Sequence, residues 1–465
     1  MLQRRFAYVS RRCSIEADSN ESFWIRVGFL HLWGVWRFYP VFVFGDGFSY
    51  FAVPPLSPGK AAGIAGGRDG GRVASLVQNK PPENPMNLTG QFPFPARAIT
   101  FVFSFSIALL YSDRQFVFAQ GVSGTSLKVI RTPTPYPDGR PVAHYRLDAE
   151  DHGIVLRHGN GPRECDSLGA RDIWVWEYKS TYYMHYDGAG AKGWLACLAT
   201  SKNITDWRTR GPALDFGSQG EKDAASASYG VTFFDNRTWH MFYLGTPNTS
   251  PPPDLVPSFP YLTMKADAPS PTGPWSKRYN IVPFSPQPGT YYSATASPGQ
   301  IIRRGNEYLM FFSASTDNPI LRTIGIARTH NLNESWKIDP HSILAPSEQI
   351  ENTSLWYNER ARTWFLFTNH VGLKNGLEYT DAVWVYWTKD LGRWNLDQKA
   401  VVLDGSNCSW SKQIIGLPSV VQVGKRLALF YDGYAGEGIP NGAASHMHRD
   451  VGLAWLDLPL NVNNR

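Results

Sequence analysis

Cysteine is scarce, with Cys13, Cys165, Cys197 and Cys408 the only four in 465 residues. None has a metal-ligand spacing such as C-x-x-C, which argues against a thiolate metal site, and with three in the later body at most one pair there can bridge. Charge is also sparse, at 18%. The formal +6 sits at the front, where residues 1–119 hold 12 Lys+Arg against 7 Asp+Glu, so the remaining 346 residues are almost neutral. That leaves no basic footprint for nucleic acid. The apolar run at 98–110, about 13 residues, is too short to span a bilayer comfortably. Aromatics, by contrast, are plentiful, with 17 Trp, 22 Tyr and 26 Phe among 42 Gly and 34 Pro. Many turns and many aromatics favour a large all-β body over a helical one.

Residues 1–85 show no sustained period of 2 or 3.6, and "SPGKAAGIAGGRDGGR" has the composition of a flexible run. They are expected to be mis-called upstream sequence or a natural disordered leader. Residues 86–120 then supply Met86, Arg97, the apolar run and "FVFA", the regions of a secretory signal. The protein is therefore expected to be secreted or periplasmic, without stable membrane insertion once the signal is removed. Residues 121–160 read as a connecting segment.

From residue 161 to 462 the chain repeats. "TYYMHYDG" recurs as "TWHMFYLG", "EYLMFFSA", "TWFLFTNH" and "RLALFYDG", each followed by another apolar strand. The first four units close on a Trp-bearing segment: "ITDWRTRG", "PTGPWSKR", "NESWKIDP" and "LGRWNLDQ". Five copies of three or four strands predict a five-bladed β-propeller of four-stranded antiparallel blades, because one blade cannot bury both its faces alone. A β-sandwich does not place a Trp at the same point of four consecutive units.

In such a blade the start of the first strand and the end of the second reach one rim, where loops carry chemistry. Asp172 in "ARDIWVWEYKSTYYMHYDG" opens the first strand of the first unit. Glu351 is expected to begin that of the fourth, and Tyr229 and Ser297 stand at the second and third. Asp166 and Asp223 match each other, Asp166 six residues before Asp172 and Asp223 six before Tyr229. Second-strand ends add Asp187, Asn369, His370 and Asp432, and the long loops bring Asp381, His446, His448, Arg449 and Asp450. Asp172, Glu351 and Asp223 are the catalytic candidates. Asp166, Trp174, Tyr229, Ser297, His370, Asp381, His446 and Arg449 are the substrate-binding ones. Two carboxyl groups at one mouth suit glycosidic cleavage, one as proton donor and one as base or nucleophile, and aromatic faces stack on sugar rings. The same carboxylates suit a structural calcium ion in the channel. No cofactor is required.

These residues resemble the five-bladed propeller glycosidases, glycoside hydrolase families 43, 32, 68 and 117 and their relatives, over roughly residues 145–460. The ten-residue step from Asp172 to Tyr182 is similar to that of family 43, and the resemblance implies that Asp172 is the general base. It further implies a tuning Asp in the second blade and an acid Glu in the third, where this chain reads Tyr229 and "ASPGQ". The acid is therefore assigned to Glu351, with a histidine donor, as in family 117, as second choice. The expected activity is inverting hydrolysis of an oligosaccharide or polysaccharide chain end. The alternatives are a phosphorylase like family 130 and a carbohydrate-binding propeller without catalysis.

Overall fold

In the computed structural model the described residues are 124–374, 377–438 and 446–462, with the backbone of three strands nearer the start. The chain divides into two units, Met1–Ala108 and Leu109–Arg465. In the first, Val9–Ile15, Phe23–Leu32 and Val35–Phe42 form an antiparallel sheet in chain order. These strands lie within the stretch expected as a leader, and the expected signal segment lies outside the described residues.

The second unit is all-β apart from two short 3-10 turns. It contains five antiparallel meanders. The first comprises Gly169–Glu177, Tyr182–Gly190, Gly193–Ser201 and Arg208–Pro212. The second comprises Ser226–Asp235, Thr238–Thr246, Leu262–Ala268 and Ser276–Lys277. The third comprises Thr295–Arg304, Glu307–Ser315, Arg322–Thr329 and Lys337–Ile338. The fourth comprises Ile350–Asn358, Thr363–Lys374, Leu377–Thr388 and Lys399–Asp404. The fifth begins with Ile415–Val423, Arg426–Tyr434 and Arg449–Asp457. Its fourth strand comes from upstream: Glu150–Leu156 pairs antiparallel with Arg449–Asp457. The segment read as a connector thus completes the unit for which the sequence offers three strands.

The aromatic second strands are buried on both faces because each meander stacks on two neighbours. Five cores fill the five interfaces. Met241 and Tyr243 pack with Ala196 and Leu214 between the first and second meanders. Phe242 packs with Met310 and Phe312, Phe311 with Leu366 and Trp384, and Phe365 with Leu429 and Ile415. Between fifth and first, Phe430 and Leu453 meet Val175 and Met184. The recurrent Trp residues have a place in this scheme. Trp207, Trp275, Trp336 and Trp394 each pack into the core shared with the preceding meander. A Trp there supplies a large apolar area from the segment that leads into the fourth strand.

The first strands contact one another in a closed ring, each touching the next and the fifth touching the first. Crowding at the axis explains their small residues, such as "SAS" at 226–228 and "TAS" at 295–297. All five carry a register shift at one place: after Arg171, Ser228, Ser297, Glu351 and Gly416. A bulge leaves a backbone N–H unpaired within the ladder, and the second strand of the preceding meander supplies the acceptor. Asp187 accepts from Tyr229 N, Ser313 Oγ from Asn352 N at 2.9 Å, and Asp432 from Asp172 N at 3.0 Å. At the third bulge the residue is Pro298, which has no N–H, and the residue opposite Ser228 is the apolar Leu244.

Candidate active site

The bulges decide which side chains face the axis. They hold Asp172, Tyr229 and Asn352 at positive φ, 52°, 42° and 61°, conformations that side-chain-bearing residues rarely adopt without a compensating function or restraint. They bound a cleft of about 730 Å³, counting its open mouth, lined among others by Arg171, Asp172, Asp187, Arg322, Glu351 and His446.

One wall is built around Asp172. Arg171 Nε donates to Asp172 Oδ1 at 2.9 Å, and Arg171 Nη1 donates to His446 Nδ1 at 2.5 Å. Asp187, opposite Arg171 on the second strand, shares a hydrogen bond with Asp172. Burial comes first and the neighbouring Asp172 charge second in driving Asp187 well above the usual carboxylate range. Burial also raises Asp172, while Arg171 opposes that rise and Asp432 adds to it. Two carboxyl groups this close do not both ionise. The shared proton belongs on Asp187, the deeper of the two, which leaves Asp172 ionised against Arg171. Asp432 is held in turn by Arg449, whose Nη1 donates to it at 2.7 Å and to Thr380 Oγ1 at 3.1 Å.

The other wall is built around Glu351. Arg322 donates to Glu378 through Nε and Nη2, at 2.8 and 2.7 Å, and to Glu351 Oε1 through Nη1 at 2.7 Å. This gives two carboxyl groups of different character on one guanidinium. Burial is the largest influence on each. The bidentate Arg322 nevertheless holds Glu378 below its ordinary value. Glu351 is raised, since the charges of Glu378 and Asp172 reinforce its burial. Trp194, Tyr229 and Tyr261 supply aromatic surface to the cleft, and burial pushes the Tyr261 hydroxyl up to about 12.

Of the residues expected from sequence, Asp172, Glu351, Tyr229, Ser297, His446 and Arg449 line this cleft, and Asp187 joins them. The expected alignment of Glu351 with Asp172 is corrected by the register. Glu351 stands opposite Asn369 as Arg171 stands opposite Asp187, and Asn352 holds the place of Asp172.

The structure places the remaining candidates elsewhere. Asp223 is fully buried, accepting from Tyr243 at 2.8 Å, Lys277 at 2.5 Å and Tyr279 at 3.2 Å. Asp166 accepts from Tyr186 at 2.9 Å and from the N–H groups of Gly159 and Gly161. Their match between units reflects a structural repeat, in which an acid ahead of the first strand binds a tyrosine. Glu348 with Tyr386 is a further case. Trp174 packs inward with Val231 and donates to Thr232 at 3.1 Å. His370 stacks on Trp384 at 4.0 Å. Asp381 takes a two-pronged contact from Arg140, at 3.3 and 2.8 Å, which clips the upstream segment to the fourth meander. Asp450 binds His158 at 2.7 Å.

Arg171, Arg322 and Glu378 escaped the sequence reading. Arg171 adjoins the Asp172 that drew notice, but the other two carry no spacing signal. Among the described residues no group of three or more His, Cys, Asp or Glu side chains is arranged to hold a metal ion. No helix among them is long and apolar enough to cross a membrane.

Comparison with solved structures now bears on the fold. A structure described as a glycoside hydrolase superposes with a TM-score of 0.51 at 14% identity, covering 68% of this protein and 94% of the other. The catalytic domain of a GH62 α-L-arabinofuranosidase from Coprinopsis cinerea gives 0.50 at 11% identity, covering 66% of this protein and 96% of the other. This chain has the fold of the propeller glycosidases. No protein-family model matches it, and no curated protein matches it in sequence.

Proposed function

We propose that the chain is an exported, inverting glycoside hydrolase built as a five-bladed propeller, acting on an oligosaccharide or a polysaccharide chain end. The observation that carries this reading is the pair of carboxyl groups in one cleft, Asp172 ionised against Arg171 and Glu351 raised beside Arg322. Glu351 gives its proton to the departing glycosidic oxygen. Asp172 takes a proton from the water that attacks the anomeric carbon from the opposite face, and the product is the inverted hemiacetal. Asp187 keeps the charge on Asp172, and Arg322 aims Glu351. No cofactor enters these steps, and the calcium alternative is disfavoured because Asp172, Glu351, Glu378 and Asp432 are each engaged by a guanidinium.

The test is product release from a panel of plant and algal oligosaccharides by residues 121–465, with the anomer followed by NMR. Inverted product without added phosphate supports the reading, and absence of turnover on every substrate overturns it. Phosphorolysis is the second reading, which strict dependence on phosphate would establish; three guanidiniums line the cleft, Arg171, Arg322 and Arg449, but each already has a carboxylate partner.

A pH profile follows. The base must be ionised, so activity falls as pH drops through the raised value of Asp172. The acid must be protonated, so activity falls again as pH rises through the raised value of Glu351. The expected kcat/KM profile is a bell displaced above the usual carboxylate range. With an aryl glycoside whose leaving group needs no proton, Glu351→Gln is expected to retain turnover and lose the alkaline limb. An alkaline limb that persists in that variant contradicts the assignment.

A further inference from the structure

Two of the three guanidiniums in the cleft have fixed carboxylate partners on both edges or a buried acid and hydroxyl. Arg322 is shared between Glu378 and Glu351, and Arg449 is fully buried against Asp432 and Thr380. Arg171 differs. It touches Asp172 through Nε alone and spends Nη1 on a neutral acceptor, His446 Nδ1. A carboxylate that fully engaged this guanidinium would take two parallel N–H bonds, and Asp172 takes one.

His446 is fixed by the same contact. Its Nδ1 accepts from Arg171, so the ring proton of the neutral imidazole lies on Nε2, a donor. Burial, then Arg171, Arg449 and Arg322, hold this ring far below its ordinary pKa, and no carboxylate offsets them. This corner therefore presents N–H donors in a cleft otherwise rich in carboxyl groups. It offers donors from two neighbouring side chains, with Trp194 lying 5.6 Å beneath the Arg171 guanidinium.

We propose that the sugar bound here is a uronosyl unit, whose carboxylate is held by Arg171 and His446. The two-oxygen, singly charged carboxylate fits a corner with one partly engaged guanidinium and one imidazole donor. Inorganic phosphate needs more donors than Arg322 and Arg449 leave to it. The inference rests on a sugar occupying the cleft and is independent of whether that sugar is cleaved.

The experiment is calorimetric titration of the full chain with glucuronate, galacturonate, glucose, galactose and inorganic phosphate. The expected result is a uronate bound at least tenfold more tightly than its neutral parent. His446→Ala should weaken that binding by about ten- to a hundredfold, the cost of a lost hydrogen bond to a charged group. His446→Gln, which keeps an N–H donor, should recover part of it and guards against a folding defect in the alanine variant. Equal binding of uronate and parent sugar overturns the proposal, as does binding of phosphate in preference to uronate, or binding of none of the five. Uronate binding without hydrolysis of any uronoside sustains the proposal and removes the hydrolase reading. Hydrolysis of neutral glycosides alone does the reverse.

Discussion

Asp172→Asn is expected to lower kcat by about 10²–10⁴-fold, the range that a positioned base contributes. Asparagine keeps the shape of the side chain, and its oxygen can still accept from Arg171 Nε. The backbone N–H of residue 172 still donates to Asp432. What disappears is the capacity to take a proton from water. The loss should therefore fall on kcat, with KM and the thermal unfolding temperature little changed. Steady-state kinetics on any substrate found in the panel, alongside a melting curve, checks both halves. A variant that melts normally and turns over at the wild-type rate sinks the assignment of Asp172 as base.

Asp223→Ala should show the opposite division, with stability falling by about 3–5 kcal/mol and the chemistry intact where the protein remains folded. The substitution strips Lys277 of its carboxylate and leaves the hydroxyls of Tyr243 and Tyr279 without their acceptor. Truncating one partner leaves the other charge uncompensated in a largely buried setting, which costs far more than an exposed pair is worth. Denaturant unfolding measures the loss, and kinetics at a temperature well below the transition tests the remainder. A stable but inactive Asp223→Ala would return this residue to the catalytic set.

These two aspartates also show how far the sequence could be read. The repeat of aromatic strands and the four edge tryptophans were legible because each meander must present the same apolar surfaces to its neighbours. Asp172 was legible because an acid at the head of a buried strand has a desolvation cost that something must offset. Asp223 and Asp166 misled for the same reason. Their offset is a tyrosine hydroxyl on another strand of the meander, a contact that spacing along the chain does not reveal. The register of Glu351 was hidden by the bulge, which shifts pairing without any mark in composition. Arg322 and Glu378 are 56 residues apart and meet only because the third and fourth meanders abut. Nothing local to either marks them. His370 and Asp381 lie at strand positions that look toward the mouth, yet Arg140, from a segment read as a connector, draws Asp381 away and lies 3.2 Å from His370.

The pairing of Glu150–Leu156 with Arg449–Asp457 has a consequence for synthesis. Of the strands that build the five meanders, the one that leaves the ribosome first waits for the last before it has a partner, and some 300 residues must emerge in between, a span that makes ring closure a late and slow event. Asp172 depends on that same event, since the carboxylate that receives its backbone N–H is Asp432, on the fifth meander. A nascent chain therefore carries the proposed base unassembled until the body is complete. An incomplete product, however well its earlier meanders have stacked, lacks the arrangement around Asp172 on which the proposed hydrolysis rests.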